Sequence, residues 1–288
     1  MPSRSFRGTS LAEGLAPVAG ATASARGARK AAGRNAPKRA EPSDAAGLRG
    51  VGKRGWHPTG VLTGLPHGPI DSAVVPGREF VVGISGASGA SLPRRFVELV
   101  SRSRAVSRLH LVFSASSLVV ARTEIDPAIA SAADWVSRLE LPRDAARRIA
   151  LHSNDDVGAT IASGSYPVAG MAVIPCSAGT LGAIANGVSR DLLQRAADVC
   201  LKERRPLVLA FRESPYSLVH VENMRRATLE GAIVAPPSPA FYVRDPSMDR
   251  FLVAWCARAA RLLGIELPDE TFRWAGTEKE RARNRRRS

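Results

Sequence analysis

The residues best suited to chemistry in this chain lie within one short stretch, residues 171–213. It holds an apolar segment followed by a turn with two hydroxyls, a helical stretch that ends in a cationic cluster, and a second apolar segment that ends in an arginine and a glutamate. In order, these polar residues are Ser177, Thr180, Lys202, Glu203, Arg204, Arg205, Arg212 and Glu213. An arginine at a strand end is well placed to hold a phosphate, and a neighbouring carboxylate can exchange a proton.

A second polar segment, GISGASGA at residues 83–90, follows an apolar strand and opens a helix. Its glycines are three residues apart, so it is neither the dinucleotide-binding G-x-G-x-x-G motif nor a P-loop. Glycines let the backbone approach an anion closely, and the amides of a helix N-terminus supply donors. A tight strand–helix turn without a ligand is the less favoured alternative for this motif when it is taken alone. Together with residues 171–213 it predicts a site for a phosphate and a flavin.

Other polar residues have simple structural explanations when each is taken singly. Ser114 ends a predicted strand and is a plausible helix cap, as is the Ser177–Thr180 turn. The proline-rich loop that delivers Tyr242 is explained by packing, and Arg258 in the last helix by surface charge. Cys176 needs no redox role, because a cysteine in an apolar strand behaves as a small hydrophobic residue.

Short apolar strands alternate with helices between the two ends of the chain. The predicted strands are Glu79–Ile84, Leu109–Ser114, Met171–Cys176, Pro206–Phe211 and Ala232–Ala235. The predicted helices are Leu92–Ser101, Leu118–Glu124, one or two within residues 127–150, one near 179–186, one near 191–203, Leu218–Leu229 and Ser247–Leu263. This order predicts an α/β fold with a mostly parallel sheet covered on both faces. Ligands of such sheets bind beyond the carboxyl ends of the strands, where the glycine-rich turn and three other loops should converge.

Composition and charge separate this folded part from the two ends. The net charge is +15, of which +7 falls in residues 1–76 and +4 in residues 278–288. Residues 1–76 are rich in Ala, Gly, Arg, Ser and Pro without a helical or strand period, which predicts a disordered basic extension. We therefore divide the chain into this extension, a folded domain at 77–275 and a basic tail at 276–288. No nucleic-acid motif accompanies the basic ends, so we expect no nucleic-acid partner.

Cysteine usage and hydropathy indicate the compartment. The three cysteines are far apart and form no Cys-x-x-Cys pair, which argues against a disulfide framework or a zinc site. The histidines show no metal-ligand spacing, so we expect no metal. The longest apolar runs are far shorter than the roughly 20 residues of a membrane span. We expect a cytoplasmic protein; organellar targeting by the arginine-rich extension is a less favoured alternative.

Taken together, these segments closely resemble the flavin prenyltransferase family, the UbiX-type proteins. The resemblance runs from about Phe80 to Trp274. It is carried by GISGASGA, SGSY, GMAVIPCS-x-x-TL, RAADVCLKERRPLVL-x-x-RESP, H-x-ENM, GAIVAPPSPAFY and the closing RW. Ser91-Leu92-Pro93 departs from the Tyr-Gly pair that many members carry at that point, so packing near the flavin can differ there.

The resemblance implies a Rossmann/flavodoxin-like three-layer sandwich that assembles into dodecamers, with active sites at subunit junctions. It implies transfer of the dimethylallyl group of dimethylallyl monophosphate to N5 and then C6 of reduced FMN, without a metal. The product, prenylated FMN, would serve UbiD-type decarboxylases, including those of ubiquinone biosynthesis. Whether the donor is the monophosphate or a diphosphate is left open.

The resemblance also implies roles for particular residues. Those expected to bind FMN are Gly86, Ala87, Ser88, Ser114, Ser177, Ala178, Gly179, Thr180 and Arg212. Those expected to bind the prenyl phosphate are Lys202, Arg212, Tyr242 and Arg258, and the expected catalytic residues are Glu124, Lys202 and Glu213. Glu213 would relay a proton, and Trp274 would help to exclude water.

Two alternatives remain. An FMN-dependent cysteine decarboxylase would share the fold, but its catalytic histidine and its Pro-x-Met-Asn-x-x-Met-Trp signature are missing from the sequence. A non-catalytic flavin-binding partner subunit would keep its biological output when Lys202 or Glu213 is replaced.

Overall fold

The computed structural model describes residues 77–241 and 247–267. The predictions for the extension at 1–76, for Tyr242 and Trp274, and for the tail at 276–288 lie outside these residues. The strands are β1 (Arg78–Ile84), β2 (Val106–Phe113), β3 (Ile149–His152), β4 (Val168–Cys176), β5 (Leu207–Phe211) and β6 (Ile233–Val234). The helices are α1 (Ser91–Val100), α2 (Ala115–Glu124), α3 (Ala132–Ser137), α4 (Arg143–Ala146), α5 (Ala178–Ala185), α6 (Leu192–Lys202), α7 (Leu218–Leu229) and α8 (Met248–Leu262), and a 3₁₀ turn covers Thr160–Ala162.

The strands form one six-stranded sheet in the order β3-β2-β1-β4-β5-β6. Every neighbouring pair is parallel, so the predicted mostly parallel sheet is confirmed. The chain moves outward on one side of β1 and then returns to pair β4 with its other side. This reversal creates a crevice at the carboxyl ends of β1 and β4, which is where ligands bind in open α/β sheets.

Helices cover both faces of the sheet, as the continuous apolar strands require. Alternate residues of each strand point to opposite faces. On one face, Phe80 and Val82 of β1 belong to a core that also contains Phe96 of α1 and Trp255 of α8. On the other face, Val81 packs in a core with Leu193 and other apolar residues of α6. The arrangement is a three-layer α/β/α sandwich.

Strand β3 differs from the prediction, which gave residues 127–150 helices alone. The stretch holds the short helices α3 and α4, and the chain then pairs Ile149–His152 with β2. The four residues are Ile, Ala, Leu and His, an apolar run of only three residues in which Leu151 is 41% exposed, so the pattern is too short to predict a strand. This edge strand is fixed by tertiary contact, including a 2.9 Å hydrogen bond between His110 Nδ1 and His152 Nε2.

Candidate active site

Hydrogen bonds join the strand ends at the crevice. The Ser85 hydroxyl donates to the Pro175 carbonyl at 2.8 Å and accepts from the Ser177 amide at 2.8 Å, which ties the end of β1 to the end of β4. The Ser114 amide donates to the Ile84 carbonyl at 2.9 Å, and the Arg212 amide to the Cys176 carbonyl at 3.1 Å. The four loops that the sequence predicted to converge therefore meet at one edge of the sheet.

A cleft of about 550 Å³ opens at this edge. Five of the residues predicted to bind a flavin line it: Gly86, Ser114, Ser177, Gly179 and Thr180. Cofactor sites typically occupy about 300–1,000 Å³, so the cleft has the size of a mononucleotide site. Ala87 and Ala178 are half-buried and flank these residues in sequence.

The cleft faces the N-termini of two helices. Ser114 caps α2 by accepting from the Ser117 amide at 3.2 Å, and Ser177 caps α5 by accepting from the Thr180 amide at 3.3 Å. The first-turn amides that these caps leave over have no helical partner and carry partial positive charge. The serines therefore act both as helix caps and as cleft lining, and their surroundings favour an anionic ligand.

Two glycines of GISGASGA are required by the backbone. A Cβ on Gly86 would lie 2.3 Å from Cβ of Ser116, so the β1–α1 loop can approach α2 this closely at a glycine alone. Gly89 has a φ of +114°, a conformation that side chains strongly disfavour. The glycine spacing is thus explained by loop packing and turn geometry, which shape one wall of the cleft.

Glu124 is the last residue of α2, and its side chain reaches the start of α1, where the N-cap residue of α1 makes no side-chain hydrogen bond. Its Oε2 accepts from the amides of Gly89 and Ala90, each at 2.8 Å. Burial alone would raise the pKa of Glu124, but hydrogen bonds from Ser88 and from these two amides, together with the charge of Arg212, outweigh it and hold the pKa below its usual value. Glu124 is therefore a carboxylate at neutral pH.

Arg212 also contacts the glycine-rich turn, and its charge acts on the Glu124 carboxylate. Its Nε donates to the Ser88 carbonyl at 3.0 Å. Glu213 follows at the end of β5, is half-buried, and accepts from the Ser214 amide at 3.0 Å. The structure therefore brings Ser88, Glu124, Arg212 and Glu213 to the same edge as the cleft, in a combination that can hold an anion and exchange a proton.

Lys202 and Arg258 are not brought into this cluster within one chain. Lys202 ends α6, which runs from the cleft back to the start of β5 and so delivers it to the opposite edge of the sheet. There it forms an ion pair with Glu203. Its Nζ also lies beside Gly164, just before β4, because a Cβ added to Gly164 would be 2.5 Å from it. Arg258 is exposed on α8.

The cysteines of the chain are buried in its core. All three are free and buried. Burial raises the pKa of Cys176 well above its usual range and that of Cys200 to about 12. Thiolate chemistry at neutral pH is excluded at both positions.

Further residues line the cleft that the sequence had not assigned to the site, among them Ser116, Asn186, Arg190 and Gln194. One signal was available, since Gly179, Gly182 or Ala183, and Asn186 recur at the three- and four-residue spacing of a helix face. Arg190 and Gln194 enter through the turn after α5, which the sequence pattern does not position.

Among residues 77–241 and 247–267, no three His, Cys, Asp or Glu side chains are placed to hold a metal ion. In the same residues, no helix combines the length and apolar character needed to cross a bilayer.

Comparison with known proteins gives matches over more than half of the chain. The Flavoprotein family model matches residues 72–246. The flavin prenyltransferase UbiX of Neisseria meningitidis is 40% identical over 206 residues, which are 69% of this chain and 97% of that protein. The flavin prenyltransferase UbiX of Escherichia coli K12 is 38% identical over 200 residues, covering 69% and 99% of the two chains.

Two crystal structures are similar in fold and sequence. AnUbiX in complex with FMN and dimethylallyl pyrophosphate has a TM-score of 0.57 and 35% identity, covering 70% of this chain and 99% of the other. A dodecameric FMN-dependent UbiX-like decarboxylase from Escherichia coli O157:H7 has a TM-score of 0.60 and 36% identity, covering 69% and 100%.

Proposed function

Because this chain belongs to the UbiX family of flavin prenyltransferases, we propose that it transfers the dimethylallyl group of dimethylallyl monophosphate to N5 and C6 of reduced FMN. The chain is a prenyltransferase that uses FMN. The observation that carries the residue assignments is the cleft of about 550 Å³ at the strand-order reversal, lined by five of the residues expected to hold the flavin. The relative at 40% identity is named a flavin prenyltransferase, so the comparison does not favour the alternative function of a cysteine decarboxylase.

The cleft residues would hold the flavin through hydroxyls and free amides. Ser114, Ser177 and Thr180 offer hydrogen-bonding groups beside two helix N-termini, which suits the polar edge or the phosphate of FMN. When bound, reduced FMN supplies the nucleophilic positions that accept the prenyl group. Gly86 keeps the wall of the cleft close to α2, and Glu124 holds the glycine-rich turn in place.

Cations near the cleft would stabilise the departing phosphate. Breaking the allylic C–O bond develops negative charge on phosphate and positive charge on carbon, and fixed cations lower the energy of that separation. Arg212 is already held at the cleft edge by the Ser88 carbonyl. Glu213, next to it, is the proposed acceptor of the proton that leaves when C6 is alkylated. Tyr242 would contact the same phosphate, and so would Arg258 from a neighbouring subunit.

We assign Lys202 to the active site of a neighbouring subunit. Within one chain it lies at the opposite edge of the sheet from Arg212, so it can serve a cleft only across a subunit interface. An apolar stripe on α7 supports assembly with further copies: Leu218 is 83% exposed, Val219 66%, Val221 48% and Leu229 63%. A similar protein is dodecameric, and exposed apolar patches of this kind mark interaction sites.

Mixed assemblies test this arrangement. Lys202→Ala and Glu213→Gln chains, each inactive alone, would be co-expressed in equal amounts and purified together. If Lys202 acts in a neighbour's site, about a quarter of the junctions receive both intact residues, and about a quarter of wild-type activity returns. Activity that stays at the background of the single variants would show that the two residues act within one chain.

The direct test of the reaction mixes the purified protein anaerobically with reduced FMN and dimethylallyl monophosphate, followed by mass spectrometry of the flavin. We expect an added five-carbon unit, and a parallel reaction with the diphosphate identifies the donor. Flavin recovered unmodified from both, beside an active control enzyme, would refute the proposal. Glu213→Gln should keep FMN bound and slow turnover at least 100-fold, roughly the usual contribution of a general base; a variant as fast as wild type would leave the proton transfer without its residue.

The surroundings of the reaction follow from the same proposal. The prenylated flavin would pass to a UbiD-type decarboxylase, and the cytoplasm is the compartment that fits three unpaired cysteines.

A further inference from the structure

One charged residue lines the cleft. Among the described residues of its lining, Arg190 is the sole ionisable side chain, and the others are small residues, an apolar valine, hydroxyls and two amides. A phosphate or an ionised ring that enters this cleft gives up water around a negative charge. Neutral donors alone compensate such a loss poorly, whereas a guanidinium supplies charge and paired donors together.

The backbone of Arg190 is held in place at the start of α6. Its amide donates to Gln194 Oε1 at 3.0 Å. Gln194 is fixed in turn by Asp191, the cap of α6, whose two carboxylate oxygens accept from the Gln194 amide at 2.8 Å and from its Nε2 at 3.0 Å. The acid beside Arg190 is therefore already engaged with Gln194.

The guanidinium of Arg190, by contrast, makes no hydrogen bond or ion pair with residues 77–241 or 247–267. Arg226 on α7, in contrast, has partners for its guanidinium, and one of them, Asn186, also lines the cleft. Its Nη1 donates to Asn186 at 2.8 Å and its Nε to Glu222 at 3.1 Å. Arg190 is a cation whose backbone is anchored and whose charged group is available to the cleft.

We propose that Arg190 binds an anionic group of the FMN in this cleft. This inference rests on the proposed function, because it takes FMN as the occupant of the cleft. FMN offers two anionic groups, the phosphate and the N1–C2=O2 edge of the ionised reduced ring. Both are flat or forked acceptors that match a guanidinium. Arg190 is a binding residue and takes no part in proton transfer.

The experiment compares the dissociation constants of FMN and riboflavin for wild type, Arg190→Ala and Arg147→Ala, with each flavin oxidised and reduced. Arg147 is the matched control, since it is exposed at the end of α4 and its removal costs the same unit of charge. Losing a charge-assisted hydrogen bond should weaken FMN binding by about 10- to 100-fold in Arg190→Ala. Arg147→Ala should stay within about twofold of wild type, because it loses charge far from the cleft. Arg190→Lys should recover part of the loss.

The pattern across flavins identifies the group. If Arg190 holds the phosphate, Arg190→Ala weakens both redox forms of FMN and leaves riboflavin unchanged. If it holds the ring edge, reduced FMN and reduced riboflavin both weaken more than their oxidised forms. Arg190→Ala that binds every form with wild-type affinity overturns the inference.

The same preparations separate this inference from the proposed function. Wild-type protein that prenylates FMN while Arg190→Ala binds FMN normally refutes the role of Arg190 alone. Wild-type protein that binds no flavin refutes both. Because Arg190 is exposed, the variant should retain the wild-type circular dichroism spectrum, which confirms that affinities are compared between folded proteins.

Discussion

Replacing Gly86 by alanine tests how the cleft wall is built. The added Cβ would lie 2.3 Å from Cβ of Ser116, 3.2 Å from its carbonyl carbon and 3.3 Å from its Cα. Carbon atoms in contact stay about 3.5–4.0 Å apart, so the β1–α1 loop and the start of α2 must separate by about 1 Å. The obstructing atoms are backbone and Cβ, which cannot rotate away as a long side chain can.

Overpacking of this kind costs about 1–3 kcal/mol. For a domain of this size each kcal/mol lowers Tm by about 2–4 °C, so Gly86→Ala should melt about 2–12 °C below wild type. Because the displaced loop lines the cleft, the affinity for FMN should fall as well. Thermal unfolding and flavin fluorescence titration measure the two effects.

Two further variants make this reasoning refutable. Gly179→Ala places a methyl group in the same cleft with no protein atom within 4 Å, so its Tm should equal or exceed that of wild type. Ser116→Gly removes the Cβ that the methyl group added at position 86 would meet, and the double variant should be more stable than the sum of the single effects predicts, by about 1 kcal/mol or more. A wild-type Tm for Gly86→Ala, or strictly additive effects in the double variant, would show that the loop yields at no cost.

Two other predictions follow from titratable groups. Burial lowers the pKa of His110, against the opposing effect of the hydrogen bond that His110 donates to Glu79, and burial also lowers the pKa of His152. The unfolded chain therefore takes up protons below pH 6.5 that the folded chain does not. The free energy of unfolding should fall with acidification by at most about 1.4 kcal/mol per pH unit for each histidine. Urea unfolding at pH 5–7.5 checks this, and a free energy of unfolding that stays flat or rises toward pH 5 would contradict it. Glu124 has a lowered pKa, so its contribution to the free energy of unfolding is present above pH 4.5 and is lost as pH falls through its folded pKa. In urea unfolding, Glu124→Gln should lower that free energy by about 0.5–2 kcal/mol at pH 7 and by less near pH 3. Glu230→Gln, an exposed control at the end of a helix, should change it little.

The sequence predicted the strands that are buried on both faces. β1, β4 and β5 are continuous apolar runs, and their carboxyl ends define the edge at which ligands bind. Strand β3 could not be predicted, because its four residues are held by pairing with β2 and their apolar run is only three residues long. An element can be predicted from local sequence when its own side chains form a buried apolar pattern. An edge strand instead depends on pairing with neighbours that are distant in the sequence.

The residues of the site differ in the same way, because local sequence places some of them and tertiary structure places the others. Ser114 and Ser177 follow strands directly, so strand prediction already placed them at the cleft. Arg190 lies in a turn between two helices, and its position depends on the cap that Asp191 and Gln194 form at α6. Lys202 sits in the most conspicuous cationic cluster of the sequence, yet the direction of α6 carries it away from the cleft. Residue type alone does not reveal which edge of the sheet a helix end reaches.

The opposite placements of Lys202 and Arg212 constrain how flavin binding and catalysis depend on assembly. The described residues that line the cleft come from the β1–α1 loop, the start of α2, α5 and the turn into α6. The 11 residues of α6 span about 16 Å, and Lys202 lies at the end of this helix that is farther from the cleft, so we expect it to act on a phosphate in another subunit's cleft. A single subunit would thus lack one of its proposed phosphate-binding cations. It follows that substitutions on the exposed stripe of α7 that disrupt assembly should abolish prenyl transfer, because loss of assembly removes Lys202 from the site.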